Sequence, residues 1–141
     1  MGEWRSAAND LKQALECQPD SVTAANALAW LYATCPDPKI RNGKEAFRLA
    51  GVLLQQERMT WNERDTLAAV YAEVGDFREA VRFQKAALDD VARFNEDKLD
   101  YEVFNFDLSA RNEQKKQAIE IAERLEMYRN KKPFRQPNAS N

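Results

Sequence analysis

The sequence predicts an all-α fold, a stack of helix–turn–helix hairpins closed by a longer C-terminal helix. Two observations carry this expectation. The first is composition: 141 residues hold only four glycines and five prolines. That is too little turn material for a sheet of many hairpins, and alanine, leucine, glutamate, lysine, arginine and glutamine dominate instead. The second is an internal recurrence. Leu28, Ala29, Tyr32 and Ala33 return as Leu67, Ala68, Tyr71 and Ala72, 39 residues on. Glu45-Ala46 and Leu54 return as Glu79-Ala80 and Leu88, 34 residues on. A period in this range marks paired helices that bury their apolar faces against neighbouring pairs.

The elements can be placed from cap chemistry. A first helix is expected near 3–17, ended by Pro19, with Asp20 or Ser21 capping a second near 21–35. The stretch CPDPKIRNG then reads as a lengthened turn: Pro36 stops the helix, Asp37-Pro38 turns the chain, Ile40 tucks against the hairpin and Asn42 caps the third helix. Asn42 to Glu45, Thr60 to Glu63 and Asp76 to Glu79 each resemble a capping box, opening helices near 43–57, 61–74 and 77–91. Residues 92–108 fit neither period, although Tyr101, Val103, Phe106 and Leu108 would share one side of an extended chain. From Ser109 a long helix resumes, with Ala118, Ile121, Ala122, Leu125 and Tyr128 at helical spacing before Pro133.

The segments GEWRSAANDLKQALECQPD and TLAAVYAEVGDFREAVRFQKAAL resemble the tetratricopeptide repeat (TPR) family, in Gly2-Trp4, Gly75-Phe77, the small pairs Ala7 and Ala80, Ala14 and Ala87, and Pro19. LEMYRNKKPFRQ is similar to the closing helix and tail of bacterial TPR domains. The resemblance implies a right-handed superhelical stack: a half repeat at 2–19, a repeat at 21–58 with the lengthened turn, a repeat at 60–91, an irregular insertion at 92–108, a capping helix at 109–131 and a tail at 132–141. The half repeat has two readings, a piece of a longer repeat protein, which is preferred, or a lone helix acting as an N-terminal cap.

Composition narrows the function classes. Histidine is absent, and two cysteines without a histidine partner assemble neither a catalytic thiolate nor a metal site. The glycines are scattered singly, so no phosphate-cradling loop exists. No enzyme activity, cofactor or metal is expected. A net charge of −2 gives no electrostatic reason to seek nucleic acid or an anionic membrane. The basic residues Arg129, Lys131, Lys132 and Arg135 read as a solvated helix end. Without a signal peptide or an apolar run of spanning length, the default compartment is cytoplasmic.

In the family the resemblance points to, the first helix of each repeat lines a concave groove that holds an extended peptide or helix. Thr23, Asn26, Trp30, Ala33 and Thr34 share that stripe on the second helix, with Asn62, Asp65, Ala69, Ala72 and Glu73 as their counterparts. Trp30 has two readings: an anchor for a partner side chain, or a packing residue against a neighbouring helix or the insertion. The stripe lacks the lysine that the family uses to hold a terminal carboxylate. Asp65 and Glu73 would instead favour a basic or neutral ligand. Residues 92–108 could be an irregular connector that covers the last repeat's apolar edge, fold back into the groove as an internal pseudo-ligand, or form a partner-binding strand or swap element. The expected function is a non-enzymatic adaptor that binds a protein or peptide in the groove. The alternative is a structural segment whose open repeat ends stack on further repeats or form a homo-oligomer.

Overall fold

The computed structural model describes the backbone of residues 2–101 and 108–137 and the side chains of 2–93 and 112–137. Among the described residues there are six helices and no strand: α1 (Gly2–Cys17), α2 (Val22–Thr34), α3 (Gly43–Leu54), α4 (Trp61–Glu73), α5 (Phe77–Tyr101) and α6 (Leu108–Arg129). Each helix packs on the next from α1 to α6, and α2 also packs on α4. The regular structure of the described residues is all helical, as expected. Among the described residues no helix is long and apolar enough to cross a membrane.

The flanking helices are amphipathic and the inner ones are not. On α3, Ala46, Leu49, Ala50 and Leu53 form one buried stripe, and on α5 Ala80, Phe83, Ala87 and Val91 form another. By contrast α2 buries eight of its thirteen residues and α4 seven of thirteen, on nearly every side. Helices of that length are marginal alone in water, so α2 and α4 owe their stability to being surrounded. Alanines at 25, 29, 46, 50, 68, 80 and 87, all 1% exposed or less, let these helices approach closely.

Ends and caps largely follow the sequence. Thr60 closes a complete capping box: its hydroxyl accepts from Glu63 N, and Glu63 Oε2 accepts from Thr60 N at 2.7 Å. Asn42 and Asp76 cap α3 and α5 by accepting from Glu45 N and Glu79 N, both at 3.1 Å. The return half of those two expected boxes is missing, because Glu45 and Glu79 turn outward to Arg48 and Arg82 one turn on. Gly75 at φ +88 ends α4, with Gly75 N bonded to Ala72 O and Asp76 N to Tyr71 O, a Schellman motif that calls for glycine. The lengthened turn behaves as read. Asp37 organises it by accepting from Lys39 N, Ile40 packs on the core, and Asn42 N returns to Tyr32 O.

Two expectations need correction. α1 does not face the core through Ala7 and Ala14, which are exposed; its contact stripe is Trp4, Ala8, Leu11 and Leu15. The larger apolar side chains set the rotation of this helix, overriding the small residues of the repeat pattern. The helix expected to end near 91 continues to Tyr101, so 92–101 is regular. Nothing in the sequence stops it: between Gly75 and Pro133 there is neither glycine nor proline. The three readings of 92–108 rest on residues 102–107 and on side chains outside the described residues.

Candidate functional site

The expected stripe exists as a surface between α2 and α4, which run side by side in the same direction. Asn26 Nδ2 donates to Asn62 Oδ1 at 2.7 Å near their N-terminal ends. Arg135 reaches both Ala33 O and Glu73 near the other. Asn26, Trp30 and Thr34 from α2 therefore meet Asn62, Asp65, Ala69 and Glu73 from α4. Thr23 lies exposed at the margin.

The C-terminal half of this surface is filled by the chain itself. On α6, Ile121, Arg124, Leu125 and Tyr128 form the buried face, and Arg124 is the one cation among them. Its guanidinium meets Asp65 in a bidentate pair, Nε to Oδ1 at 3.0 Å and Nη2 to Oδ2 at 2.9 Å. Gln84 of α5, fully buried, donates to Asp65 Oδ1 at 2.7 Å and to Ile121 O at 3.0 Å. Burial pushes the Asp65 carboxyl above its ordinary range, while Arg124 and Gln84 pull it back. The Arg124 guanidinium also lies over two rings, 5.5 Å from Trp30 and 5.3 Å from Phe134, which are themselves 5.9 Å apart.

Beyond α6 the chain reverses and runs across the end of α2. Lys131 adopts φ +55, and Lys131 N and Lys132 N bond to Tyr128 O and Met127 O, closing α6 in the manner of α4. Phe134 then packs on the core, Arg135 pairs with Glu73 at 2.6 Å, and Gln136 N donates to Thr34 O at 2.9 Å. Gln136 Nε2 donates to Thr34 Oγ1 at 2.6 Å. The carbonyls that a helix C-terminus leaves orphaned thus all find donors: Leu31 O from Cys35 N, Tyr32 O from Asn42 N, Ala33 O from Arg135 and Thr34 O from Gln136 N. On the other side of Glu73, Arg41 donates to Oε1 at 3.1 Å.

Several expected roles change accordingly. Asp65, Glu73 and Thr34 were expected to face a ligand; they are paired with Arg124, with Arg41 and Arg135, and with Gln136. Ala69 is 3% exposed and offers no groove surface. Trp30 packs against Phe134 and Arg124 and also lines the cleft described below; whether it meets the 101–108 stretch lies outside the described residues. Arg135 is not part of a solvated helix end. Cys35 is fully buried and Cys17 exposed.

Among the described residues, the N-terminal half remains open. A cleft of about 450 Å³ lies between the first turns of α2 and α4 and the facing side of α6. Trp30 and Trp61 line it, with Asn26 and Asn62 on one wall and Glu113, Gln117 and Glu120 on the other. Glu113, Gln117, Glu120 and Arg124 share one stripe of α6 at helical spacing. Asn26 Oδ1 is buried and accepts no hydrogen bond. Glu113, Gln117 and Glu120 were missed in the sequence because only α2 and α4 were read as lining elements, and Trp61, the first residue of α4, because the stripe was begun at Asn62.

Fold and site together define an all-helical protein whose inner helices share an internally neutralised polar seam. No family model matches the chain, and neither a curated protein nor a solved structure matches it significantly.

Proposed function

We propose that the chain is a non-enzymatic interaction module of TPR type, and that its binding surface is the open half of the α2–α4–α6 groove. The observation that carries this reading is the contrast within one surface. The seam around Asp65 and Glu73 has its charges paired, whereas the adjoining cleft is lined by two indoles and two further glutamates, Glu113 and Glu120. A partly apolar concavity with a few polar groups is the usual form of a recognition site. Of the expected polar selectors, Asn26 and Asn62 keep that role; Trp30 contributes one wall.

The alternative, a segment that stacks on further repeats, would need an apolar outward face on α1. That face carries Arg5, Asn9, Asp10 and Gln13, all exposed, as expected of a cap with a polar outer side. This favours the adaptor reading and the capping role for α1.

Asn62→Trp, which fills the cleft whatever its occupant's charge, should leave the melting temperature unchanged and abolish co-purification of specific partners. Gln13→Trp on the outward face of α1 is the control. Equal capture by both variants would discard the cleft as the binding surface.

A further inference from the structure

The filled half of the groove shows what chemistry this surface accepts, because the chain supplies its own occupants. Beside the Gln84 amide on Asp65, the cations that meet its two carboxylates are all arginines: Arg124 on Asp65 and the Trp30 ring, and Arg135 and Arg41 on Glu73. The open half repeats similar ingredients, and no side chain among the described residues fills it. Its lining holds three carboxylates, Asp65, Glu113 and Glu120, against one guanidinium, Arg124. Since Arg124 is consumed by Asp65, two negative charges face the cleft uncompensated by its other lining residues. Trp30 and Trp61 contribute indoles to the same lining. Carboxylates and indoles together favour a planar cation rich in N–H donors. Guanidinium meets each requirement; an ammonium meets the charge but stacks less well.

Another cleft, about 470 Å³ between α1, α2 and α3, lacks this bias. There Lys12 and Arg48 balance Glu16 and Glu45.

We infer that the open cleft binds an arginine side chain presented by an extended basic segment of a partner protein, one that docks beside the chain's own Arg124. This rests on the adaptor reading above and names the class of segment it recognises. Glu120, half-buried on α6, would pair with the guanidinium. Glu113 at the exposed rim would steer it, and the indoles of Trp30 and Trp61 would flank its plane.

The test uses the full chain and a capped hexapeptide, Gly-Ser-Arg-Arg-Ser-Gly, titrated while the indole N–H signals are followed by NMR. The same peptide with citrulline, which keeps the shape and removes the charge, should bind about tenfold more weakly or worse. A lysine version should fall between them. Replacing both carboxylates (Glu113→Gln with Glu120→Gln) should weaken the arginine peptide by about tenfold, while Glu123→Gln on the solvent side of α6 should not. Equal affinity for arginine and citrulline peptides, or no movement of the Trp30 and Trp61 signals, would overturn the assignment. If Asn62→Trp blocks partner capture while the peptides are indistinguishable, the adaptor reading stands and the arginine assignment falls. If the arginine peptide binds and partner capture ignores Asn62→Trp, the cleft chemistry stands and the adaptor reading falls.

Discussion

The two halves of the α2–α4 surface are made of similar residues and have opposite fates. Toward the C-terminal ends of these helices, acid and aromatic side chains are buried beneath α6 and the 133–136 segment, each acid held by arginine. Toward the N-terminal ends, asparagines, tryptophans and glutamates stay in contact with water. The difference teaches that a stripe's chemistry does not by itself make it a binding site. What decides is whether another element of the same chain brings the complementary charge.

The largest expected effect breaks the filled half at its centre. Asp65→Ala leaves the Arg124 guanidinium buried without its carboxylate, with 10% of its side chain exposed, and should cost about 3–5 kcal/mol in urea denaturation. Replacing the pair together, Asp65→Leu with Arg124→Met, should recover most of that loss, because an apolar pair removes both desolvation penalties. A single-variant cost below about 1 kcal/mol would show that the pair is not the seam's keystone. Next is Trp30→Ala, which strips the ring from both Arg124 and Phe134; since Trp30 is half-buried, about 2–3 kcal/mol is expected.

Tyr128 sharpens the comparison from the polar side. Its ring is fully buried and its hydroxyl has no hydrogen-bond partner. Tyr128→Phe should therefore be neutral or stabilising by up to about 1 kcal/mol. Burial, helped by the nearby Asp65 charge, raises the phenol above its ordinary 10.0, while Arg124 and Arg135 partly oppose this. The folded state then holds the proton more tightly than the unfolded one. Stability is fully present below pH 10.0 and is lost as pH rises above it. Thermal melts between neutral and strongly alkaline pH should show this decline, and Tyr128→Phe should flatten it. The smallest effect belongs to the open half. Asn62→Ala removes one exposed hydrogen bond to Asn26 and should change stability by no more than about 0.5 kcal/mol.

Much of the fold was legible because it is written in local chemistry. Proline, glycine and the capping residues Ser21, Asn42, Thr60 and Asp76 act within a few residues of themselves, and the structure uses each as a cap. The site was less legible because it depends on where α6 docks, which local pattern does not encode. A usable signal was present nonetheless. Asp65, Gln84 and Arg124 each interrupt an otherwise apolar stripe on a different helix. A buried acid, a buried cation and a buried amide can persist only if they meet, so three such interruptions imply one another. The rotation of α1 was misread for a related reason: the repeat pattern pointed to Ala7 and Ala14, but Trp4, Leu11 and Leu15 bury more area per residue.

The bond from Gln136 to Thr34 spans 102 residues of chain. In an ideal repeat array each unit touches only its neighbours, and such arrays can unravel one unit at a time. Here the 133–136 segment ties α2 to the C-terminal end of α6, so losing either end exposes the other. The helices should then unfold as one cooperative body, with hydrogen-exchange protection at Thr34, Asp65 and Tyr128 lost together rather than in order along the chain.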